Sequence, residues 1–408
     1  MNIVHVNNVD LIGSRFNGHD LQIELNKRGI SSKQIVIEKL GCDNRTTPLY
    51  SNLNNSIVGK MCIEFEKALS IRALVHPHGW HMMKTPEFVE ADIIHYHLIH
   101  NNLLSLAMLP DLVRMKPTVI TLHDAWIFSG HCVHSLGCEK WRYGCGKCEK
   151  HDVSFPIIED TTSFMWKVKK RVFEDITLDV VVASKYMLNM AKTSPITRHL
   201  ENMHYIPFGI DEDMFVESDD KGQVRKQLGI NCDDFVILLR TDPSPFKGMD
   251  IITKMLDELC TNKPITLLTV GQGEMLVKYS DKFTIKQFEW ITNDELMAQV
   301  YQACDILVMP SKAESFGMMA VEAMASKRPV IVMDGTALPS VTFAPDCGIV
   351  IPRENSHIAL KHVVDRLIQN PQECTVRGKK GRELVEKHYK FQTYVDKHID
   401  LYYDILKR

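Results

Sequence analysis

No stretch of the 408-residue sequence is apolar and uncharged for long enough to cross a bilayer. The first residues, MNIVHVNN, lack the basic start and long apolar core of a secretory leader and read as a buried first strand. An excess of one charge is also missing. With 48 Lys and Arg against 51 Asp and Glu, the formal net charge is −3, which offers no positive field to a nucleic acid. No internal repeat or low-complexity tract stands out, which argues against a solenoid. Cysteine, by contrast, is plentiful. In a chain without an export signal the expected setting is cytoplasmic, and eleven cysteines there point to thiols, with or without a metal, rather than disulfides.

Hydrophobic residues make up 45% and charged residues 24%, ordinary for a globular protein, and the length exceeds what one core supports. Short β-branched runs alternate with amphipathic stretches, the pattern of βα units around a parallel sheet. Expected strands are Asn2–Val6, Ile35–Ile37, Ile93–His97, Thr118–Leu122 and Val180–Ala183, then Phe235–Leu239, Ile265–Val270, Ile306–Met309, Val330–Met333 and Ile349–Ile351. Expected helices include Leu21–Lys27, Met249–Leu259, Asp294–Ala303 and Phe316–Ala325. Pro, Gly and acidic residues cluster between Ile206 and Gly222. The expected division is therefore a domain over 1–206, a hinge over 207–222, a second domain over 223–390, and a C-terminal helix over 391–408 that packs back toward the first. The fold class is α/β, two doubly wound Rossmann-like domains facing across a cleft, with ligands at the carboxyl ends of the strands.

Four clusters carry chemistry. In SKAESFGMMAVEAMASKRPVIV, Glu314 sits on a loop and Glu322 about two turns into the following helix, while Ser315 and Gly317 let a ligand approach the backbone. The first amides of such a helix suit a phosphate or a line of hydroxyls. In VILLRTDPSPFKGMDII, Arg240 ends a strand and Lys247 opens a helix, two cations placed to clamp an anion. ADIIHYHLIH puts His95, His97 and His100 at a strand end, His95 and His97 on one face. The loop HDAWIFSGHCVHSLGCEKWRYGCGKC holds Cys132, Cys138, Cys145 and Cys148, and its tight Cys145–Cys148 pair has knuckle spacing. Four thiolates there suit a structural zinc; four reduced thiols, or ligation by His131, His134 or His151, are the alternatives. A basic amphipathic stretch, Ser163–Ile176, is a further candidate, as a face resting on anionic lipid.

The two glutamates with their flanking residues, the Arg240–Lys247 segment and the glycine turn at Gly271 resemble the retaining glycosyltransferases of family 4, which have the GT-B fold. The cysteine block resembles a subgroup that builds bacterial cell-surface polysaccharides. The resemblance implies a hexosyltransferase-type enzyme that takes a nucleotide sugar, UDP favoured, and passes the sugar with retention to a glycan or lipid-linked glycan. It implies no catalytic metal; the charge balance predicts no nucleic-acid partner, and the basic Ser163–Ile176 stretch would suit peripheral contact at the cytoplasmic face of the membrane. By the same resemblance Glu314 and His97 serve the transferred sugar and Glu322 the ribose. Arg240 and Lys247 hold the diphosphate, Trp290 and Ile291 flank the base, and Ser315, Phe316, Gly317 and Met318 supply backbone at the donor site. Gly13 belongs to the first glycine loop, where the family's adjacent glycines are replaced by Gly13 and Gly18 with SRFN between. At the hinge, Phe208 stands where the family has asparagine. A binding protein that has lost turnover, or a different GT-B enzyme such as a nucleotide-sugar epimerase, fits the same residues.

Overall fold

The computed structural model describes residues 1–49, 57–100 and 102–408. The chain forms two compact units, residues 1–208 with 394–408, and residues 209–393.

The first unit is built on seven parallel strands: β1 (Asn2–Val9), β2 (Ser31–Glu38), β3 (Thr46–Pro48), β4 (Ile93–Tyr96), β5 (Thr118–Leu122), β6 (Asp179–Val182) and β7 (Met203–Tyr205). Their order is β3-β2-β1-β4-β5-β6-β7, so chain direction across the sheet reverses between β1 and β4, with Val6 beside Tyr96. One face of the sheet, with Val4, Val6, Ile94, Tyr96 and Ile120, packs into an apolar core with Trp126 and Phe128. The other face carries His5 and His95, and the C-terminal helix Phe391–Lys407 contributes His398 and Tyr402 against them.

The second unit has six parallel strands: β8 (Phe235–Thr241), β9 (Ile265–Gly271), β10 (Thr284–Phe288), β11 (Ile306–Met309), β12 (Val330–Met333) and β13 (Ile349–Ile351). Their order is β10-β9-β8-β11-β12-β13, with the reversal between β8 and β11. The central strands read as continuous apolar runs because helices cover both faces of a doubly wound sheet. Both units are thus doubly wound α/β sheets, as the alternating pattern predicts.

Three strands escape the sequence pattern, β3, β7 and β10, and all three are sheet edges. An edge strand needs less apolar surface and tolerates proline, and β3 ends in one. The helix expected from Phe316 starts at Met318, because Gly317 takes the left-handed conformation at its N-cap. Among the described residues, no helix is long and apolar enough to cross a membrane.

Candidate functional site

In open α/β sheets the crevice for a ligand lies where strand order reverses, beyond the carboxyl ends. In the second unit that point lies between β8 and β11, and the charged residues collect there. Lys247, after β8, meets Glu314, after β11, with Nζ 2.9 Å from Oε2. Arg240, near the end of β8, pairs with Asp242 at 2.8 Å, and its guanidinium lies 5.1 Å from the ring of Trp290. Its Nε is buried with no hydrogen-bond partner among the described residues, an unsatisfied donor beside the clamp.

Close backbone contacts hold these loops together. Gly248 has φ +74, and a Cβ there would lie 2.2 Å from the Pro310 carbonyl oxygen. Only glycine lets the Lys247 turn lie against the loop that carries Glu314. The Lys312 amide donates to the Phe246 carbonyl at 2.7 Å, the Gln272 amide to Thr241 at 2.9 Å, and the Ala337 amide to Glu314 at 3.1 Å. Loops after β8, β9, β11 and β12 are therefore tied into one rim. No side chain caps the helix Met318–Ala325, which suits an anion at its first turn.

The other expected donor residues divide by burial. Trp290 is 64% exposed, Ile291, Ser315 and Met318 are half-buried, and Gly317 is the helix cap. Phe316 is a core residue, edge-on to Tyr389 at 5.6 Å, so only its backbone can serve a ligand. Glu322 is 2% exposed, and the buried Tyr301 hydroxyl donates to its Oε2 at 2.8 Å. Of the two glutamates, Glu314 is the one held at the rim.

The reversal in the first unit, between β1 and β4, is built from different groups. Asn17 Nδ2 donates to the carbonyls of Val9, Asp10 and Ile12 at 2.9, 2.6 and 3.0 Å and fixes the glycine loop. Gly13, with φ +74, folds over the ring of Phe16. Gly18, with φ +91, lies over a histidine pair: a Cβ there would be 2.5 Å from His97 Nε2 and 2.8 Å from His5 Nδ1. Those two nitrogens are 3.2 Å apart, and His97 Nδ1 is 3.1 Å from His123 Nε2. Phe208 stacks on His123 with centroids 5.6 Å apart and planes 2° from parallel, and Phe16 packs beside both rings. His95 bonds Tyr402 Oη and Thr121 Oγ1, each at 2.7 Å. Burial pushes His5 and His123 down to about 3 and holds His95 and His97 well below the usual imidazole value, so these rings are neutral.

His97, expected to serve the transferred sugar, is 2% exposed, with each ring nitrogen within hydrogen-bond distance of another histidine. The half-buried member of the chain is His123, at the end of β5. His123 was not among the candidates read from the sequence; its signal was position, a histidine directly after an apolar strand. His100 also turns inward, 3.3 Å from Asp124 and stacked on Trp126, and burial raises Asp124 to about 7. Among the described residues, His5, His95 and His97 form the one group of three candidate metal ligands within 4.8 Å of one another. The His95 and His97 rings are stacked at 4.4 Å, so their in-plane lone pairs run side by side rather than converging, which is poor geometry for a metal ion.

The cysteine loop is not drawn together to that degree. Burial, then the neighbouring thiols Cys148, Cys145 and Cys138, push Cys132 up to about 12. The Gly130 amide lies 3.3 Å from Cys145 Sγ and the Lys150 amide 3.5 Å from Cys148 Sγ. The donor set suits zinc in kind, while among the described residues no three of the four sulfurs lie within 4.8 Å of one another. The loop is anchored by Lys169, whose buried Nζ donates to the carbonyls of Trp126, Ser129 and Gly130 at 2.6, 2.8 and 3.3 Å. That anchor takes Lys169 out of the basic face expected over Ser163–Ile176. In the helix Thr162–Glu174, Lys169 points inward, and Lys170 and Arg171 pair with Glu174 and Asp175.

Residues 220–384 match the family described as Glycosyl transferases group 1. The chain is 25% identical over 251 residues to the MMP alpha-(1->4)-mannosyltransferase of Mycolicibacterium hassiacum, covering 59% of this chain and 56% of that protein. It spans a smaller share of other curated relatives that it matches. Among solved structures, the sucrose-phosphate synthase of Thermosynechococcus elongatus aligns over 100% of both chains with a TM-score of 0.69 and 17% identity. Alr3699/HepE of Anabaena, solved with UDP-glucose, covers 98% of this chain and 99% of its own, with a TM-score of 0.65 and 15% identity. Residues 220–384 thus resemble the glycosyl transferases group 1 family, on a chain whose two parallel sheets have the GT-B fold.

Proposed function

We propose that the protein is a glycosyltransferase that binds a nucleotide-sugar donor at the β8/β11 reversal and transfers the sugar, with retention, to a glycan or lipid-linked glycan acceptor. The observation that carries the reading is the Lys247–Glu314 pair at 2.9 Å, with Arg240, whose Nε has no partner among the described residues, near the end of β8. Lys247 and Arg240 neutralise the departing diphosphate, while Glu314, held by Lys247, accepts from hydroxyls of the sugar. In a retaining transfer of this kind the acceptor hydroxyl attacks from the face the nucleotide leaves, and the leaving phosphate takes the proton. No side chain then has to act as nucleophile, which agrees with a rim made of cations and a hydrogen-bonding carboxylate.

UDP is the favoured base, supported by the UDP-glucose complex of a neighbour with the same fold. The buried Glu322 serves the ribose if the donor reaches past the helix start, with Tyr301 holding its other side. Gly13, and His123 in place of His97, are read as the first unit's contribution. Four thiols of the cysteine loop would hold a structural zinc, which would order the acceptor-side loop and take no part in the chemistry. A role in surface polysaccharide synthesis, in a cytoplasmic setting, completes the reading.

Calorimetric titration with UDP, GDP and ADP in EDTA, with Glu322→Ala in parallel, tests it. Binding of one nucleotide, weakened in the variant, is the expected result. No binding of any of the three would overturn the donor assignment.

A further inference from the structure

We propose that Arg72 is a binding residue for a phosphate group carried by the acceptor, presented at the carboxyl end of β4. The inference rests on the glycosyltransferase reading and deepens it, because it names the charge of the molecule that receives the sugar.

Arg72 follows the helix Ile57–Ala68, in a loop tied down on both sides. The buried Glu66 carboxylate, in the last turn of that helix, accepts from the amides of Ala73, Leu74 and Val75 at 2.9, 2.7 and 2.9 Å. Ser70 and Ala73, on either side of Arg72, take left-handed backbone, with φ +54 and +58, without being glycine. Such conformations are strained and persist only where the surroundings impose them. The Ser70 hydroxyl accepts from the amides of Ile158 and Glu159 at 2.8 and 2.9 Å, which draws in the segment that carries Phe155. A fixed guanidinium results. Its Cζ lies 3.5 Å from the centre of the Phe155 ring, and its Nε donates to the His100 carbonyl, just past β4, at 3.0 Å.

One face and one edge of the guanidinium are thus spent, and the outer edge is not. Among the described residues, neither terminal nitrogen of Arg72 has a hydrogen-bond partner and no carboxylate pairs with it. Burial lowers Arg72, and Glu66, already bonded to three amides, offsets only part of that. Burial, then the charges of Lys169 and Arg72, hold His100 well below the usual imidazole value. Asp124, 3.3 Å from His100, is raised by burial to about 7 and is no fixed countercharge. A half-buried cation left without a partner is costly to keep. Its two terminal nitrogens form the fork that matches two oxygens of one phosphate, and the stack on Phe155 holds the plane of that fork. A phosphate brings more negative charge than a carboxylate to a place that has little of its own. In a lipid-linked glycan the group joins lipid to sugar, and in a free glycan it is a sugar substituent. The same fork takes either.

The test is an arginine Nε–Hε correlation spectrum of the full chain labelled with 15N-arginine, in saturating UDP so that the donor site is occupied. The Arg72 signal is the one that disappears in Arg72→Lys. Geranyl diphosphate and glucose 6-phosphate are expected to move it saturably, and the tighter of the two names the source as lipid-borne or sugar-borne. Arg72→Lys, which keeps the charge and loses the fork, is expected to weaken calorimetric binding of the better probe about tenfold. An Arg72 signal that neither probe moves, an equal response to glucuronate, or unchanged affinity in a folded Arg72→Lys protein overturns the inference. Should Arg72→Lys not fold, Phe155→Leu, which removes only the ring beneath the guanidinium, identifies the signal by shifting it. UDP followed through Arg240 in the same spectra separates the two ideas: without a UDP response the donor reading falls, and the Arg72 titration, run without nucleotide, still decides the acceptor's charge.

Discussion

The two strand-order reversals of this chain occupy equivalent places in their sheets and are made of opposite materials. At the β8/β11 reversal, opposite charges sit in pairs: Lys247 with Glu314, Arg240 with Asp242. At the β1/β4 reversal, the polar groups are neutral imidazoles enclosed by aromatic rings and a glycine loop. A site for a diphosphate needs fixed cations, and these cost little because each is half-buried with a carboxylate beside it. A site that contacts uncharged sugar gains more from oriented neutral donors, whose burial costs less than that of an ion. The division of labour follows from the chemistry that each half is proposed to meet.

Acid should separate the two units most strongly. Burial lowers His5 and His123 to about 3 and His398 to about 4, whereas in the unfolded chain each has its ordinary value near 6.5. Below that value the unfolded state binds more protons than the folded one. The stability from these rings is therefore complete above pH about 6.5 and is lost as pH falls toward their folded values. In the second unit, burial would raise Asp305, but Lys221 and Arg225 outweigh it and hold the carboxyl below its usual value, so its contribution persists to lower pH. Hydrogen exchange followed from pH 7 to pH 4 should show the first unit losing several kcal/mol of protection while the second keeps most of its own. Equal loss in both units would erase the contrast.

Next in size is Gly248→Val. Its Cβ would meet the Pro310 carbonyl at 2.2 Å, at a left-handed φ of +74. Steric conflict and strain together should cost about 3 kcal/mol in chemical denaturation and abolish UDP binding by parting the two loops. Lys247→Ala should leave stability nearly unchanged yet weaken UDP binding by roughly 1.5–3 kcal/mol, the worth of a hydrogen bond to a charged group. Calorimetry checks both, and undiminished affinity in Lys247→Ala would remove it from the clamp.

How much of this was legible beforehand depended on whether a feature is local. The central strands, the Glu314 loop, Arg240 and Lys247 were readable because each is announced by its own few residues. The edge strands β3, β7 and β10 were not, since each is short or half-exposed and carries too few buried apolar residues to announce itself. Burial was the other blind spot. HYHLIH looks like three histidines offered to a ligand, yet the C-terminal helix supplies Tyr402 to His95 from 307 residues away, and the glycine loop covers His97. Lys169 misled for the same reason: as sequence it extends a basic face, and in the fold it reaches three carbonyls of the cysteine loop. Phe208 is the converse case. Its departure from the family's asparagine left its role undefined in sequence, and the structure gives it one, the stack on His123.

Trp290→Ala should have the smallest effect and sharpen the comparison most finely. The ring is 64% exposed and lies 5.1 Å from the Arg240 guanidinium. An exposed cation–π contact is worth about 0.5–1 kcal/mol, so folding should hardly change. If Trp290 only steadies Arg240, UDP and inorganic pyrophosphate should both lose affinity by the same few-fold factor, because the diphosphate clamp is what loosens. If it flanks the base, UDP should weaken while pyrophosphate binds as before. The ratio of the two losses therefore decides whether the paired charges of the second unit also need an aromatic wall, as the neutral donors of the first unit do.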